Sequence, residues 1–315
     1  MKAILLGVLA ALFFGVTFVL NRTMELSGGS WLWSSSLRFF YMVPLLWGIV
    51  WLRGNVKPVL NELRQNFGVW FLWSTVGFVL FYAPITFAAG FGAAWLVAST
   101  WQITIIAGSL LVPFFYENGK RQSIPLKGLL FSGIILVGVA LVQWEEARSG
   151  LGMNSLYCVL AVLVAAFAYP LGNRKMMQHT KGRLDAFQRA LGMTIASLPV
   201  WIVLAVIGFV TAGPPSSGQL VQTVFVAISS GVIATVLFFK ATDMCGGNPV
   251  KLAAVEATQS AEIVFVLAAE MIFLSLAVPS ITSIGGMVII MIGMYAHAVY
   301  SARNAAGSAL QKKAG

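Results

Sequence analysis

Ten long apolar stretches constrain this sequence more than any other feature. They lie near residues 3–21, 32–52, 67–88, 91–114, 125–144, 153–171, 186–209, 219–239, 248–270 and 280–300. A bilayer's hydrocarbon core is about 30 Å thick, which about 20 helical residues cross. Lipid offers no hydrogen-bond partner to the backbone, so such stretches must fold as helices that satisfy their own N–H and C=O groups. Composition agrees: 59% of the 315 residues are hydrophobic and 10% are charged, against about 25% charged in soluble domains. The chain is therefore expected to be an all-α membrane protein with ten transmembrane helices in a lipid bilayer. Its first segment, MKAILLGVLAALFFGV, has the look of a signal peptide but lacks a small-residue cleavage site after the apolar core. It is read as a retained first helix.

Charge placement sets the orientation. If both termini are cytoplasmic, only Arg22, Arg38 and Arg148 of the 20 Lys and Arg residues fall on the outer side. Lys and Arg concentrate in cytoplasmic loops, so the expected topology is N-in and C-in. The same placement accounts for the net charge of +10 without a nucleic-acid partner. Cys158 and Cys245 have no disulfide or metal-ligand spacing and read as small buried hydrophobes.

An internal repeat is visible. The first segment runs into Asn21-Arg22-Thr23-Met24 and the sixth into Asn173-Arg174-Lys175-Met176. Arg38 and Met42 in the second have counterparts in Arg189 and Met193 in the seventh. Leu80-Phe81 and Gln102 in the third and fourth match Leu237-Phe238 and Gln259 in the eighth and ninth. The expected halves are 1–149 and 150–315, each with five helices. An odd number makes them enter the membrane in opposite directions, a plan recurrent in secondary transporters with a substrate site near the midplane.

The ninth segment carries the most unusual chemistry. In AVEATQSAEIVFVLAAE, residues 254–270, Glu256 and Glu262 lie inside an otherwise apolar run. A carboxylate at bilayer depth costs at least a few kcal/mol and rarely stands there without a partner or a task. At about 100° per residue, Glu256 and Glu262 fall about 60° to either side of Gln259 and about 9 Å apart along the axis. The opposite face is almost all alanine. In the fourth segment the corresponding face carries Ser99, Gln102 and Ile105, with Trp95 close to the Gln102 direction.

Five plus five helices, short loops and glutamates at Glu117 and Glu270 resemble the drug/metabolite transporter superfamily. Within it, Glu256-Ala-Thr-Gln-Ser-Ala-Glu262 with a downstream Glu270 is similar to the bacterial multidrug resistance efflux branch. The resemblance implies an alternating-access exporter in a bacterial plasma (inner) membrane. Glu256 and Glu262 are then the candidate proton-coupling groups. Gln259, Gln102, Ser99, Trp95 and Arg38 are the candidate contacts for a small-molecule substrate. The competing expectation is structural: Lys251, Lys240 or Arg189 reaches Glu256, Arg38 reaches Glu262, and the carboxylates only fix helix packing.

Other classes find less support. A membrane-embedded transferase would want clustered acids or histidines, but the chain has only Asp185 and Asp243 and no His-Glu-x-x-His. A Gly-x-x-x-x-Gly-Lys phosphate loop is also missing, so ATP-driven pumping by this chain is not expected. A channel fits an inverted repeat less well than alternating access does, and an exchanger or facilitator of the same fold is the nearer alternative. No metal or other cofactor is expected.

Overall fold

The computed structural model describes residues 1–117, 120–121, 126–148, 153–246, 248–275 and 277–314. Apart from one two-residue antiparallel pair, everything regular in it is helical. α1 (Lys2–Leu26) and α2 (Trp31–Leu52) are followed by α3 (Val56–Ser74), which passes through a π-helical segment, Thr75–Val79, into α4 (Leu80–Ala88). α5 (Ala94–Trp101) and α6 (Ile103–Leu110) are separated at Gln102. Beyond them come the paired strands β1 (Tyr116–Glu117) and β2 (Lys120–Arg121), then α7 (Leu126–Arg148), α8 (Met153–Thr180) and α9 (Ala186–Ala212). α10 (Ser217–Val226) passes through a second π-helical segment, Ala227–Ala234, into α11 (Thr235–Asp243). α12 (Pro249–Ala257), a 3₁₀ turn at Thr258–Ser260 and α13 (Ala261–Phe273) precede α14 (Ile281–Ala314).

Among the described residues, six helices are long and apolar enough to cross a membrane: Lys2–Leu26, Trp31–Leu52, Val56–Ala88, Leu156–Thr180, Ala186–Ala212 and Ser217–Asp243. The chain is thus a multi-pass membrane protein. Three boundaries differ from the sequence reading. The sixth stretch stays helical to Thr180, past the Asn173-Arg174-Lys175-Met176 motif at which the sequence reading ends it. The fourth and ninth stretches are each interrupted. Glu117 does not close the fourth helix but sits in β1, beyond α6.

Local chemistry explains the ends. Asp185 caps α9 by accepting from Gln188 N at 2.9 Å, while Gln188 returns a bond to Asp185 N, a reciprocal capping box. Gln188 also donates to Asn55 O, and Arg53 bridges to Asp185 at 2.9 Å, pinning this end of α9 to the α2–α3 turn. α9 stops at Gly213, whose φ of 75° suits only glycine comfortably. In the second π-helical segment Thr235 Oγ1 donates to Ser230 O, five residues back, bridging the widened turn.

The packing follows a pattern. α1 lies against the π-helical segment Ala227–Ala234, α11 and α13; α8 lies against Thr75–Val79, α4, α5 and α6. α2 packs on α9, and α7 on α14. Small residues set the closest approaches, as is usual where lipid removes a hydrophobic drive between helices. At the crossing of α8 with Thr75–Val79, a Cβ on Gly172 would stand 2.3 Å from the Cα of Gly77, so the two backbones touch directly.

Candidate functional site

A cavity with about 540 Å³ of empty space opens where these helices converge. Its walls come from α1 (Phe14, Thr17, Phe18), α2 (Arg38), α4 (Phe81, Ile85), α5 (Trp101), α6 (Thr104) and α8 (Tyr169, Pro170). The second π-helical segment adds Ser230, α11 adds Phe238, and the α12–α13 stretch adds Glu256, Gln259 and Glu262. Six of these fifteen residues are aromatic. The Tyr169 ring has Phe81 at 4.6 Å, Trp101 at 5.6 Å and Phe238 at 5.9 Å between centroids. Predominantly apolar and aromatic walls with a few placed polar groups describe a small-molecule site.

The two glutamates that line this cavity differ sharply. Glu256 is held by a two-pronged ion pair: Arg174 Nη2 donates to its carboxylate at 2.7 and 2.8 Å, and Nε at 3.2 Å. The same guanidinium donates through Nη1 to Gly108 O at 2.6 Å. Such a fork is the strong form of the carboxylate–arginine contact. Glu262 is 1% exposed, and its Oε2 meets no hydrogen-bond partner. The expected counter-ions are not the ones found. Lys251, Lys240 and Arg189 do not hold Glu256, because Arg174 reaches it first from the helical extension of α8. Arg38 does not pair with Glu262.

Arg38 is itself unusual. It is 2% exposed, its guanidinium carbon lies 3.9 Å from the Tyr82 ring centroid, and Nε and Nη1 have no hydrogen-bond partner. Stacking on an aromatic face supports the charge but leaves those donors open. Tyr82 is fixed in turn by Asn21, whose amide donates to its hydroxyl at 3.2 Å.

Gln259 lines the cavity and donates to Gly7 O at 3.3 Å. Gln102 does not line it. It is fully buried and donates to Ala98 O at 3.0 Å and to Gln259 O at 3.4 Å, across 157 positions of sequence. Ser99 and Trp95 also lie off the cavity wall. Ser99 is buried with its hydroxyl donating to Trp95 O, and Trp95 packs against the apolar cluster around α5, α7 and α13. The residues that α5 and α6 do present to the cavity are Trp101 and Thr104. Glu270 takes a different part. Its carboxylate accepts the N–H groups of Ala94 and Trp95, each at 2.8 Å, and so caps the start of α5 from a distant helix.

A second cavity of about 330 Å³ adjoins the first and shares Tyr169, Pro170, Phe238 and Glu256 with it. Its further walls include Asn173, Arg174, Met177, Arg189 and Thr242. The Arg174–Glu256 pair therefore stands between the two spaces. Sequence reasoning missed Arg174 and the aromatic box. The motif shared by residues 21–24 and 173–176 was the signal for the arginine. The box had none, since its rings come from four separate helices.

With the geometry in place, the comparisons with known proteins are informative. The family model described as "EmrE: Putative multidrug resistance efflux transporter" matches residues 1–303. The chain is 58% identical over 305 residues to "Uncharacterized protein YjlA" of Bacillus subtilis (strain 168), with 94% of each chain covered. It is 53% identical over 267 residues to an "Uncharacterized 42.1 kDa protein in intracellular alkaline protease 3'region" of Shouchella clausii, covering 83% of this chain and 70% of that one. A solved structure described as "Crystal structure of protein" aligns with a TM-score of 0.67 at 16% identity over 96% of this chain and 98% of its own, which establishes likeness of fold. A multi-pass helical membrane protein with carboxylates in a central aromatic cavity, matched by that family model over nearly its whole length, belongs to the EmrE-type multidrug resistance efflux transporter family of the drug/metabolite transporter superfamily.

Proposed function

We propose that this protein is a secondary active exporter of small molecules that works by alternating access in a bacterial plasma membrane. Residues 1–149 and 150–315 form two inverted five-helix repeats, ten spans in all, with both termini cytoplasmic. Several observations support the repeat. Gln102 and Gln259, at matched positions, bond to one another across 157 residues, and the helix is interrupted at both. The third and eighth stretches each contain a π-helical segment. The packing of α1 on the eighth stretch and α13 is mirrored by that of α8 on the third stretch, α5 and α6.

One observation carries the functional reading: Glu262, buried and with Oε2 unpartnered, faces a cavity built from both halves. Intramembrane carboxylates that face a cavity mark substrate or ion pathways. In this reading a proton and the cationic group of a substrate compete for the Glu262 carboxylate, and that competition couples export to the proton gradient. Glu256 supplies the second carboxylate and, through Arg174, closes the passage toward the second cavity, which lies on the cytoplasmic side in the N-in orientation. No nucleotide takes part.

Transport into proteoliposomes under an imposed pH gradient and without ATP tests this. Glu262→Gln should lower gradient-driven transport by about 100-fold or more, the scale of losing a general acid–base group, with near-normal amounts of folded protein. Normal transport by that variant, or a strict need for ATP, overturns the proposal. Glu270→Gln is the contrasting control: it weakens the cap on α5 and should instead lower folded yield. Reporter fusions after Arg64, Lys181 and at Gly315 should behave as cytoplasmic and one at Ser217 as external. An external C-terminus would break the ten-span topology.

A further inference from the structure

Two side chains of opposite formal charge share the main cavity without meeting. Arg38 projects from α2 and Glu262 from α13; both line the space, and both are more than nine-tenths buried. Among the described residues neither takes part in an ion pair, and Arg38 Nε, Arg38 Nη1 and Glu262 Oε2 all lack a hydrogen-bond partner. Every other buried cation around the two cavities has a partner. Arg174 holds Glu256 at 2.7 Å, and Arg189 holds Asp243 at 2.6 Å. The open donors of Arg38 are not isolated either. Ser230 Oγ, also without a partner, lines the same cavity, and the next residue, Gly231, is bare enough for Arg38 Nε to approach its Cβ position to 3.5 Å.

These groups say what can occupy the cavity. A simple lipophilic cation would satisfy Glu262 and leave the Arg38 guanidinium unmatched beside it, a like charge in a medium that screens poorly. A simple anion would do the reverse. A neutral apolar molecule would bury both charges with donors and acceptor still open, which is the costly case. An occupant with one acidic and one basic group satisfies both at once, with an apolar or aromatic body between them for the ring-lined walls.

We propose that the transported substrate class is zwitterionic, its acidic group accepting hydrogen bonds from Arg38 and Ser230 and its amine donating to Glu262. This deepens the transporter reading and rests on it for the word "transported"; the binding preference stands by itself. Arg38 is a specificity-determining residue here, and Glu262 serves both as coupling group and amine receptor.

The test uses three probes with one ring: 4-(aminomethyl)benzoate, which carries both charges, benzylamine, which has the amine alone, and 4-methylbenzoate, which has the acid alone. Binding is measured by titration calorimetry to the full chain in lipid nanodiscs, with no gradient. The zwitterion should bind about tenfold tighter or more than either half, as expected for an added hydrogen bond to a charged group. Arg38→Gln should erase its advantage over benzylamine while leaving benzylamine affinity unchanged or improved. Glu262→Gln should erase its advantage over 4-methylbenzoate. Arg38→Lys keeps the charge without the planar fork; should Arg38→Gln fail to fold, a reduced zwitterion preference in Arg38→Lys carries the same reading. Benzylamine binding as tightly as the zwitterion, no zwitterion binding, or an Arg38 variant with an unchanged ratio overturns the inference. Transport of the same probes is measured separately in proteoliposomes. Selective binding without gradient-driven transport breaks only the exporter reading, whereas gradient-driven export that prefers benzylamine breaks only the zwitterion inference.

Discussion

Arg38 and Arg189 occupy matching places in the two proposed halves, yet one is settled and the other open. Arg189 lies over the Phe239 ring at 4.4 Å, and Arg38 over Tyr82 at 3.9 Å. Tyr82 and Phe239 are separated by the same interval as Gln102 and Gln259. One turn further along, the second half places Asp243, whose carboxylate accepts from Arg189 Nη1 at 2.6 Å. The first half has Thr86 at that place, and its hydroxyl is spent on Tyr82 O and Ala83 O. The carboxylates show the converse. Glu262 in the second half has Ile105 as its first-half counterpart, a fully apolar residue in the α6 wall. Each half thus lends the cavity one charge that its twin has neutralised or deleted. An exact two-fold site would have both arginines settled or both open, and its carboxylates paired across the halves or absent. The departure from symmetry is what gives the cavity polarity.

The largest effect that could break this contrast concerns the two glutamates. Arg174→Gln leaves Glu256, whose side chain is 14% exposed, without its counter-ion, which should destabilise the fold by up to about 3 kcal/mol. Arg174→Gln/Glu256→Gln together should recover most of that. Glu262→Gln strands no partner and should change thermal stability little. Melting curves in one detergent for the four proteins decide it, and equal losses for Arg174→Gln and Glu262→Gln would erase the distinction. Next in size, Thr86→Asp should give Arg38 the partner that Arg189 already has. Binding of 4-(aminomethyl)benzoate should then fall about tenfold, the worth of a charged hydrogen bond, while benzylamine binding is kept. Smallest, Asp243→Asn should release Arg189. Asp243 is about one-third exposed, so the stability lost should be only about 1 kcal/mol, read as a small drop in melting temperature without a change in probe selectivity.

Much of this fold was legible because lipid leaves so few solutions. Apolar length announced the helices, and the Asn-Arg motif at residues 21–22 and 173–174 was the first sign of the repeat proposed above. Glu256, Gln259, Glu262 and Arg38 were identifiable as polar groups where polar groups are costly, and all four line the cavity. What the sequence concealed has physical reasons. A π-helical turn at Thr75–Val79 or a break at Gln102 has no composition of its own, and helical angles alone do not say which side of a helix meets the cavity, so Trp95, Ser99 and Gln102 were placed on a wall that Trp101 and Thr104 occupy. Arg174 was read only as part of the repeat motif at the end of the sixth helix, while hydrogen-bonded helix continues to Thr180. The partner of Glu256 was therefore sought on the wrong elements. Phe81, Trp101, Tyr169 and Phe238 are far apart in sequence and converge only in three dimensions.

The bare contact between Gly77 and Gly172 has a mechanical meaning. Where helices meet through interlocking side chains, any roll of one against the other must trade rotamers and open voids, so the pair tends to sit in discrete positions. Where two glycine backbones meet, there are no teeth to disengage. That crossing lies on α8 two residues beyond Pro170, which is in the wall of both cavities. In the alternating-access cycle proposed above it would serve as a bearing surface next to the partition, at which one helix turns on another while the rings and charges a few residues away are exchanged between one side and the other. Gly172→Ala would fit such a bearing with a tooth.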